Sequence, residues 1–184
     1  LSNMKHYWRR DTVFHNTFIA SVMSRDRFLQ IFNNLHLADS SLQPERESKD
    51  YSKIYKVQRF TEILRRNFQE NYSLGRYATI DESMIEFKGR SSLKEYLPLK
   101  PIKRGYKVWC LCDSVTGYLF NYQIYVGKEE TSARETSLGE RVVFDLITGQ
   151  NFRGKHLYFD NYSTFLGLLE QLKLQNVKAC GKIR

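Results

Sequence analysis

The chain has 184 residues, of which 41% are hydrophobic and 14% aromatic, so it can bury a substantial core and is not a disordered chain. Its net charge of +9 favours an acidic partner, and nucleic acid is the commonest one. No apolar run approaches the roughly 18 residues of a membrane span. Three cysteines do not form a disulfide framework and fit a reducing compartment.

The N-terminal part predicts a helical unit. A short helix is expected near 17–22, and Ser24 is a candidate N-cap for a second helix. That second helix carries an apolar stripe of Phe28, Ile31, Phe32 and Leu35. Residues 39–52 are polar and predict an exposed loop. From 53 to 71, apolar residues again fall on one helical face, and Gly75 follows the end of this third helix.

The next element, residues 77–85, predicts a buried strand that carries Asp81 in its middle. A carboxylate in such a strand is costly unless it is paired or holds a cation. The basic loop that follows contains Glu95 as its single acid and seven basic residues: Lys88, Arg90, Lys94, Lys100, Lys103, Arg104 and Lys107. An acid that can hold a metal beside a loop that can hold phosphate indicates chemistry on nucleic acid. The alternative is a partly exposed aspartate at a sheet edge, followed by a solvated run of charges.

Two further strands are predicted at 106–112 and 118–126, joined by a hairpin turn in which Asp113 is more typical of a turn residue than of a ligand. Trp109 is expected in the core. Cys110 and Cys112 share one face of their strand and are likewise more typical of a core than of a metal site. By the same alternation, Glu82 is expected to point away from Asp81.

The last third of the chain predicts alternating helices and strands. Residues 127–136 are polar and predict a mobile connection, after which Ser137 and Glu140 form a capping box for a helix closed by Gly149. A short buried strand then ends on Asp160. A helix from Phe165 to Asn176 follows it, and residues 177–180 begin one more strand. Because the final residues resemble a strand cut short, we expect the chain to be a piece of a longer protein.

This order predicts an α/β (α+β) fold: a helical N-terminal unit followed by an incomplete ribonuclease H-like mixed sheet with flanking helices. The first three strands would be antiparallel, and the fourth would lie parallel to the first on its other side. Asp81 and Asp160 would then sit on neighbouring strands. Together they could hold a divalent metal, although either one alone could be an N-cap or a turn residue.

Several blocks of the chain resemble, in the correct order, those of the piggyBac family of cut-and-paste DNA transposases. They are Val22-Met23-Ser24-Arg25-Asp26-Arg27-Phe28 with Leu35-His36, Ile80-Asp81-Glu82-Ser83-Met84 through Lys88-Gly89-Arg90, Lys103-Arg104-Gly105-Tyr106-Lys107, and Tyr158-Phe159-Asp160-Asn161-Tyr162. The resemblance covers nearly the whole chain.

The resemblance implies a DDE/D-type core that uses three aspartates and two divalent ions, Mg²⁺ or Mn²⁺, in the nucleus, as a homodimer on double-stranded transposon ends. Asp81 would be the first catalytic aspartate and metal ligand and Asp160 the second, while the third aspartate and a cysteine-rich zinc-binding tail are not in this chain. Residues 1–75 would be a helical dimerisation or DNA-binding unit. Residues 76–184 would be the first part of the catalytic domain.

We therefore expect part of a transposase that cleaves and transfers DNA strands, with the seven basic residues on DNA phosphates, no membrane and no small-molecule substrate. This piece alone should bind Mg²⁺ weakly and should not cleave DNA. Two alternatives stay open. One is a domesticated, transposase-derived DNA-binding protein without catalysis; the other is a non-transposase nuclease of the same fold, against which the helical unit argues.

Overall fold

Three α-helices precede the sheet in the computed structural model, which describes residues 4–127 and 137–182. They are α1 (Thr17–Val22), α2 (Arg25–Asn33) and α3 (Tyr55–Glu70). The predicted cap of α2 is confirmed, because Ser24 Oγ accepts a hydrogen bond from the backbone N–H of Arg27 at 3.3 Å. Leu35 lies beyond the end of α2. Two short 3₁₀ helices, Met4–Trp8 and Ser40–Leu42, were not predicted.

In the described ranges, six strands form one mixed sheet. They are β1 (Tyr77–Glu86), β2 (Lys94–Tyr96), β3 (Arg104–Asp113), β4 (Leu119–Ile124), β5 (His156–Phe159) and β6 (Lys178–Gly181). β1 lies between antiparallel β3 and parallel β5, while β6 continues the sheet beyond β5. The predicted fold class is confirmed, with three antiparallel strands and a fourth that runs parallel to the first on its other side.

One edge of β3 is shared by two strands. β2 pairs with the start of β3 at 104–106, and β4 pairs further along at 108–112. The stretch after β1 is therefore not the plain basic loop that was predicted, since Lys94 lies on β2 and Arg104 on β3. A three-residue strand of charged composition carries too little alternation to be recognised from the sequence.

The second half follows its predicted signals. α4 (Leu138–Ile147) begins where Ser137 Oγ accepts a hydrogen bond from the N–H of Glu140 at 3.2 Å. Gly149 follows its end with φ of +78°. α5 (Leu166–Leu174) is followed by Asn176 in the left-handed region, with φ of +57°. Of the polar connection predicted at 127–136, residues 128–136 lie outside the described residues, as do 183–184.

Helices cover both faces of the sheet. On one face, Asn121 Nδ2 of β4 donates to the carbonyl oxygen of Leu146 in α4 at 2.6 Å. On the other face, the hydroxyl of Tyr122 donates to the carbonyl oxygen of Thr61 in α3 at 2.8 Å. Because successive side chains of a strand point to opposite faces, α3 and α4 lie on opposite sides. The predicted boundary between a helical unit at 1–75 and a catalytic domain at 76–184 stays a prediction.

The main core lies on the face covered by α4. Alternation along β1 directs Ala78 and Ile80 into it, and both are buried. Its other members come from β3, β4, β5, α4, α5 and the adjoining loops: Trp109, Leu111, Phe120, Val142, Val143, Leu146, Ile147, Phe152, Leu157, Phe159, Leu168, Leu172 and Val177. The expected core position of Trp109 is confirmed. Within residues 4–127 and 137–182, no helix is both long and apolar enough to cross a bilayer.

Asp113 is the turn residue that was predicted, and it is buried. Its carboxylate accepts hydrogen bonds from the backbone N–H groups of Thr116 at 3.0 Å, Gly75 at 2.9 Å and Val115 at 2.9 Å. These bonds, that of Thr116 foremost, outweigh burial and hold the pKa of Asp113 below its ordinary value. A Cβ at position 75 would lie 2.7 Å from Asp113 Oδ2, so this close approach requires glycine.

Replacing Asp113 by alanine should lower the free energy of unfolding at pH 7 by about 2–4 kcal/mol, because buried N–H groups lose a charged acceptor. Asp113→Asn should cost less, since an amide oxygen still accepts hydrogen bonds. A group whose pKa is lower in the folded state stabilises above its unfolded pKa of about 4 and loses that contribution as the pH falls through its folded pKa. Urea unfolding should therefore show that the difference in unfolding free energy between wild type and Asp113→Asn is smaller at about pH 3 than at pH 7.

The matched control is Asp145→Asn, at an exposed position of α4. It should change the unfolding free energy by less than about 0.5 kcal/mol at either pH. A stability loss in Asp113→Asn that is equal at both pH values would contradict the charge-based explanation.

Candidate metal centre

Three carboxylates converge where β5 ends. Asp81, Glu82 and Asp160 each place a carboxylate oxygen so that all three oxygens lie within 4.8 Å of one another. The parallel pairing of β1 with β5 stops at Ile80 and Phe159, so Asp160 comes directly after the last paired residue. The structure thus brings Asp81 and Asp160 together, as the topology predicts. Their catalytic role stays a prediction.

Glu82 is the member of this group that the sequence did not predict. Alternation along β1 predicts that the Glu82 side chain points away from that of Asp81. In the register of β1 and β3, Glu82 is indeed opposite the core residue Trp109. Its carboxylate nevertheless joins the other two. The pairing with β5 has ended by this position, so among the described residues this edge of β1 has no paired strand, and neighbouring side chains can turn toward it. Two consecutive acids opposite the end of a short parallel strand were the signal that could have revealed the group.

The burial expected of Asp81 is wrong, because its side chain is 59% exposed, as in the alternative of a partly exposed aspartate. The buried residues of β1 are its alternate neighbours Ala78, Ile80 and Met84. Asp81 Oδ1 accepts a hydrogen bond from the N–H of Glu82 at 2.7 Å. The strand is apolar only on its core face, and a composition dominated by that face made the whole segment look buried.

Lys100 supplies the positive charge next to the group. Its Nζ lies 3.1 Å from Glu82 Oε1 and 3.9 Å from Asp81 Oδ1. Partial burial raises the pKa of Asp81, and the neighbouring Glu82 charge adds to this. Burial acts in the same direction on Glu82, but the hydrogen bond and charge of Lys100 outweigh it, so the pKa of Glu82 falls below its ordinary value. The two directions differ because Lys100 is closer to Glu82.

A second cation is held on an aromatic surface beside the carboxylates. Lys107 Nζ lies 3.9 Å from the ring centroid of Trp109 and 5.2 Å from that of Tyr162. The two rings stack with centroids 5.5 Å apart. Burial lowers the pKa of Lys107 despite the opposing charge of Glu82. Lys107 and Trp109 are two residues apart in β3 and so lie on the same face of the strand. This spacing could have indicated the contact from the sequence.

The other predicted DNA-contacting residues lie on or beside β2 and the ends of β1 and β3 that flank it. We call residues 87–104 the basic ribbon. Lys88, Arg90, Lys103 and Arg104 are exposed, and Lys94 is half-buried. Some have protein partners: Lys88 Nζ lies 3.3 Å from Glu86 Oε1, Lys94 Nζ donates to Gly89 O at 2.8 Å, and the Arg104 guanidinium lies 5.0 Å from the Tyr96 ring centroid.

The donor set fits a hard divalent cation. Carboxylate oxygens are the ligands that Mg²⁺ and Mn²⁺ prefer. An ammonium group already lies against two of the three acids, which shows that this place attracts positive charge. Cys110, in contrast, is a poor ligand because burial raises the pKa of its thiol to about 12. Within the described ranges, the cysteines do not belong to the acidic group.

A mixed sheet with this strand order and with acids at the meeting point of β1 and β5 has the arrangement of the ribonuclease H-like class of nucleases and transposases. Fold alone does not settle function. A family model described as Transposase IS4 matches residues 1–184.

Human PiggyBac transposable element-derived protein 3 is 31% identical over 183 residues, covering 97% of this chain and 30% of that protein. Human PiggyBac transposable element-derived protein 2 is 31% identical over 182 residues, with the same two shares of 97% and 30%. Among solved structures, the piggyBac transposase in a synaptic complex with hairpin DNA, determined by cryo-EM, is similar with a TM-score of 0.80 and 31% identity. That match covers 92% of this chain and 35% of that one.

The chain belongs to the transposase IS4 family, as a piggyBac-type transposase domain. The resemblance found in the sequence is thereby confirmed, and the alternative of a non-transposase nuclease loses its support. The chain spans about a third of the length of these relatives.

Proposed function

We propose that this chain is the part of a cut-and-paste DNA transposase that holds catalytic metal and positions DNA. The full-length protein would cleave and transfer strands of double-stranded transposon ends in the nucleus, as a homodimer. The observation that carries the proposal is the convergence of Asp81, Glu82 and Asp160 in a piggyBac-type domain. The solved relative, a synaptic complex with hairpin DNA, supports DNA as the partner.

Asp81 and Asp160 would hold Mg²⁺ or Mn²⁺, with Glu82 as a third donor. The bound metal would supply activation of the attacking oxygen and neutralisation of charge on the leaving oxygen. The contribution of the chain is geometric, since Asp81 and Glu82 stand on a paired strand and the backbone N–H of Tyr162 donates to Asp160 Oδ1 at 3.0 Å. Three carboxylates are few donors for hard cations that take six or more oxygens, so metal binding by this chain is weak.

The basic ribbon would position the duplex through its phosphates. Its exposed side chains are Lys88, Arg90, Lys103 and Arg104. Such contacts carry no sequence information but fix the register of a duplex relative to the site. Lys107, held on Trp109 next to the acids, would add positive charge where a phosphate approaches them.

Glu82→Gln should weaken Mn²⁺ binding by about tenfold, because a carboxylate donor becomes a neutral amide. Asp81→Asn and Asp160→Asn should have effects of similar size. Mn²⁺ binding to the 184-residue chain can be measured from the electron paramagnetic resonance signal of free Mn²⁺. The control is Glu86→Gln, on the same strand and paired with Lys88 instead of the acidic group. Equal affinities for Glu82→Gln and Glu86→Gln would remove Glu82 from the site.

Two single variants, Arg90→Ala and Lys103→Ala, should each weaken DNA binding about uniformly across DNA sequences. Each lost phosphate contact should lower the slope of log K against log salt by about one. Fluorescence anisotropy with a labelled duplex at several salt concentrations measures both quantities. Lys173→Ala, at an exposed position of α5, removes the same charge elsewhere and should leave the slope unchanged. An equal loss of duplex affinity in all three variants would mean that net charge, and not contact by the basic ribbon, explains the effect.

Strand cleavage tests the enzymatic part of the proposal. With Mg²⁺ or Mn²⁺, a full-length parent protein should nick duplex transposon-end DNA, and Asp81→Asn or Asp160→Asn should lower the rate by at least about a thousandfold. The 184-residue chain alone should not nick DNA. Nicking by this chain that depends on Asp81 would contradict the need for a further acid.

A second candidate function is DNA binding without catalysis, as in a domesticated transposase. The observation that favours it is the similarity to two human proteins named as derived from a transposable element. The cleavage assay separates the two candidates. A full-length parent that binds the duplex with the expected salt slope but never nicks it would establish the second.

A further inference from the structure

Lys100 has a different environment from the other predicted DNA-contacting residues. Within the described ranges, it is the member of that set whose ammonium group is paired with the acidic cluster, at 3.1 Å from Glu82 and 3.9 Å from Asp81. It also donates to the backbone carbonyl oxygen of Glu82 at 3.4 Å. Three oxygen atoms therefore surround one positive charge. This is the kind of contact that a hard cation would make with the same residues.

A constrained turn presents Lys100 to the acids. The backbone N–H of Lys100 donates to the carbonyl oxygen of Leu97 at 3.2 Å, and that of Leu97 donates to Lys103 O at 2.9 Å. Pro98 and Pro101 restrict the backbone on both sides. The side chain is 31% exposed, so its flexible stem can swing toward solvent without movement of the turn.

We propose that Lys100 is a positioning residue that exchanges between the acidic cluster and a DNA phosphate. Before metal binds, its ammonium group offsets part of the negative charge of Glu82 and Asp81. A divalent cation that binds those oxygens displaces the ammonium group from them, and the ammonium group becomes free to pair with a phosphate beside the site. The exchange rests on the proposed function, because it uses the same acids and the same DNA.

Two consequences follow from this exchange. The metal must displace an ion pair before it binds, so Lys100 is a cause of weak metal affinity in addition to the small number of carboxylates. Metal binding also creates a phosphate contact that the metal-free protein lacks. By linkage, metal and DNA then raise each other's affinity by the same factor.

The first experiment measures Mn²⁺ affinity of the 184-residue chain without DNA, by electron paramagnetic resonance of free Mn²⁺. Lys100→Gln should bind Mn²⁺ about three- to tenfold more tightly than wild type, because no ion pair has to break. Lys100→Arg keeps the charge and should bind as wild type does. Lys173→Gln lowers the net charge equally, on α5, and should have no effect.

Measurements at high salt distinguish the effect of the Lys100 ion pair on Mn²⁺ affinity from that of distant charges. At about 0.5 M NaCl, effects between distant exposed charges are largely screened, whereas the gain from removing a direct ion pair should persist. Lys100→Met is a second uncharged variant, and circular dichroism confirms that each variant is folded. Mn²⁺ affinity in Lys100→Gln and Lys100→Met that is equal to or below that of wild type would overturn the exchange.

The second experiment measures duplex binding over a salt series with and without Mn²⁺. In wild type, addition of Mn²⁺ should steepen the slope of log K for duplex binding against log salt by about one, because one more phosphate contact forms. In Lys100→Gln, addition of Mn²⁺ should not produce this extra change. Parallel changes in both proteins would overturn the DNA half of the exchange. Absence of any duplex binding by wild type would instead count against the proposed function, and the Mn²⁺ comparison would still decide whether Lys100 competes for the acids.

Discussion

The site depends on one short stretch of parallel pairing, between β1 and β5. Four residues of each strand are paired, and the pairing ends at Ile80 and Phe159. Up to that point, side chains of β1 alternate between a core and a surface. Beyond it, within the part of the chain that the structure describes, β1 is paired on its β3 side alone, and Asp160 lies at its other edge. The acidic group thus lies where the shorter β5 ends beside β1.

The two faces of the sheet have different structural roles. The α4 face supplies the apolar core, and on the α3 face Tyr122 of β4 holds the helical segment to the sheet by its hydrogen bond to Thr61. The carboxylates and Lys100 lie at the border of this packing, and Lys107 rests on the core residue Trp109 beside them. Charged groups at that border keep enough solvent to avoid the full cost of burial, yet stand on elements that the core holds in place.

The sequence was sufficient for the order of every described strand except β2, because apolar alternation and turn chemistry at Asp113 and Ser137 are local signals. It was sufficient for the Asp81–Asp160 pair, because chain topology restricts which strand ends meet. It was not sufficient for Glu82 or Lys100. Their positions depend on where a neighbouring strand ends and how a turn is oriented, and neither property has a sequence period. The assumed burial of Asp81 failed for a related reason, since composition does not say which face of a strand is covered.

Asp81 is mostly exposed, and it lies past the last paired residue of β5 together with two other negative charges. We therefore expect the fold to tolerate its substitution, because loss of one carboxylate there would relieve repulsion among the remaining acids. The stability of this domain and the proposed chemistry at its acidic group would then be separable, as stability and activity often are at functional sites. Such a domain could lose its chemistry in a single substitution while its fold and its basic surface remained intact, open to reuse as a binding module.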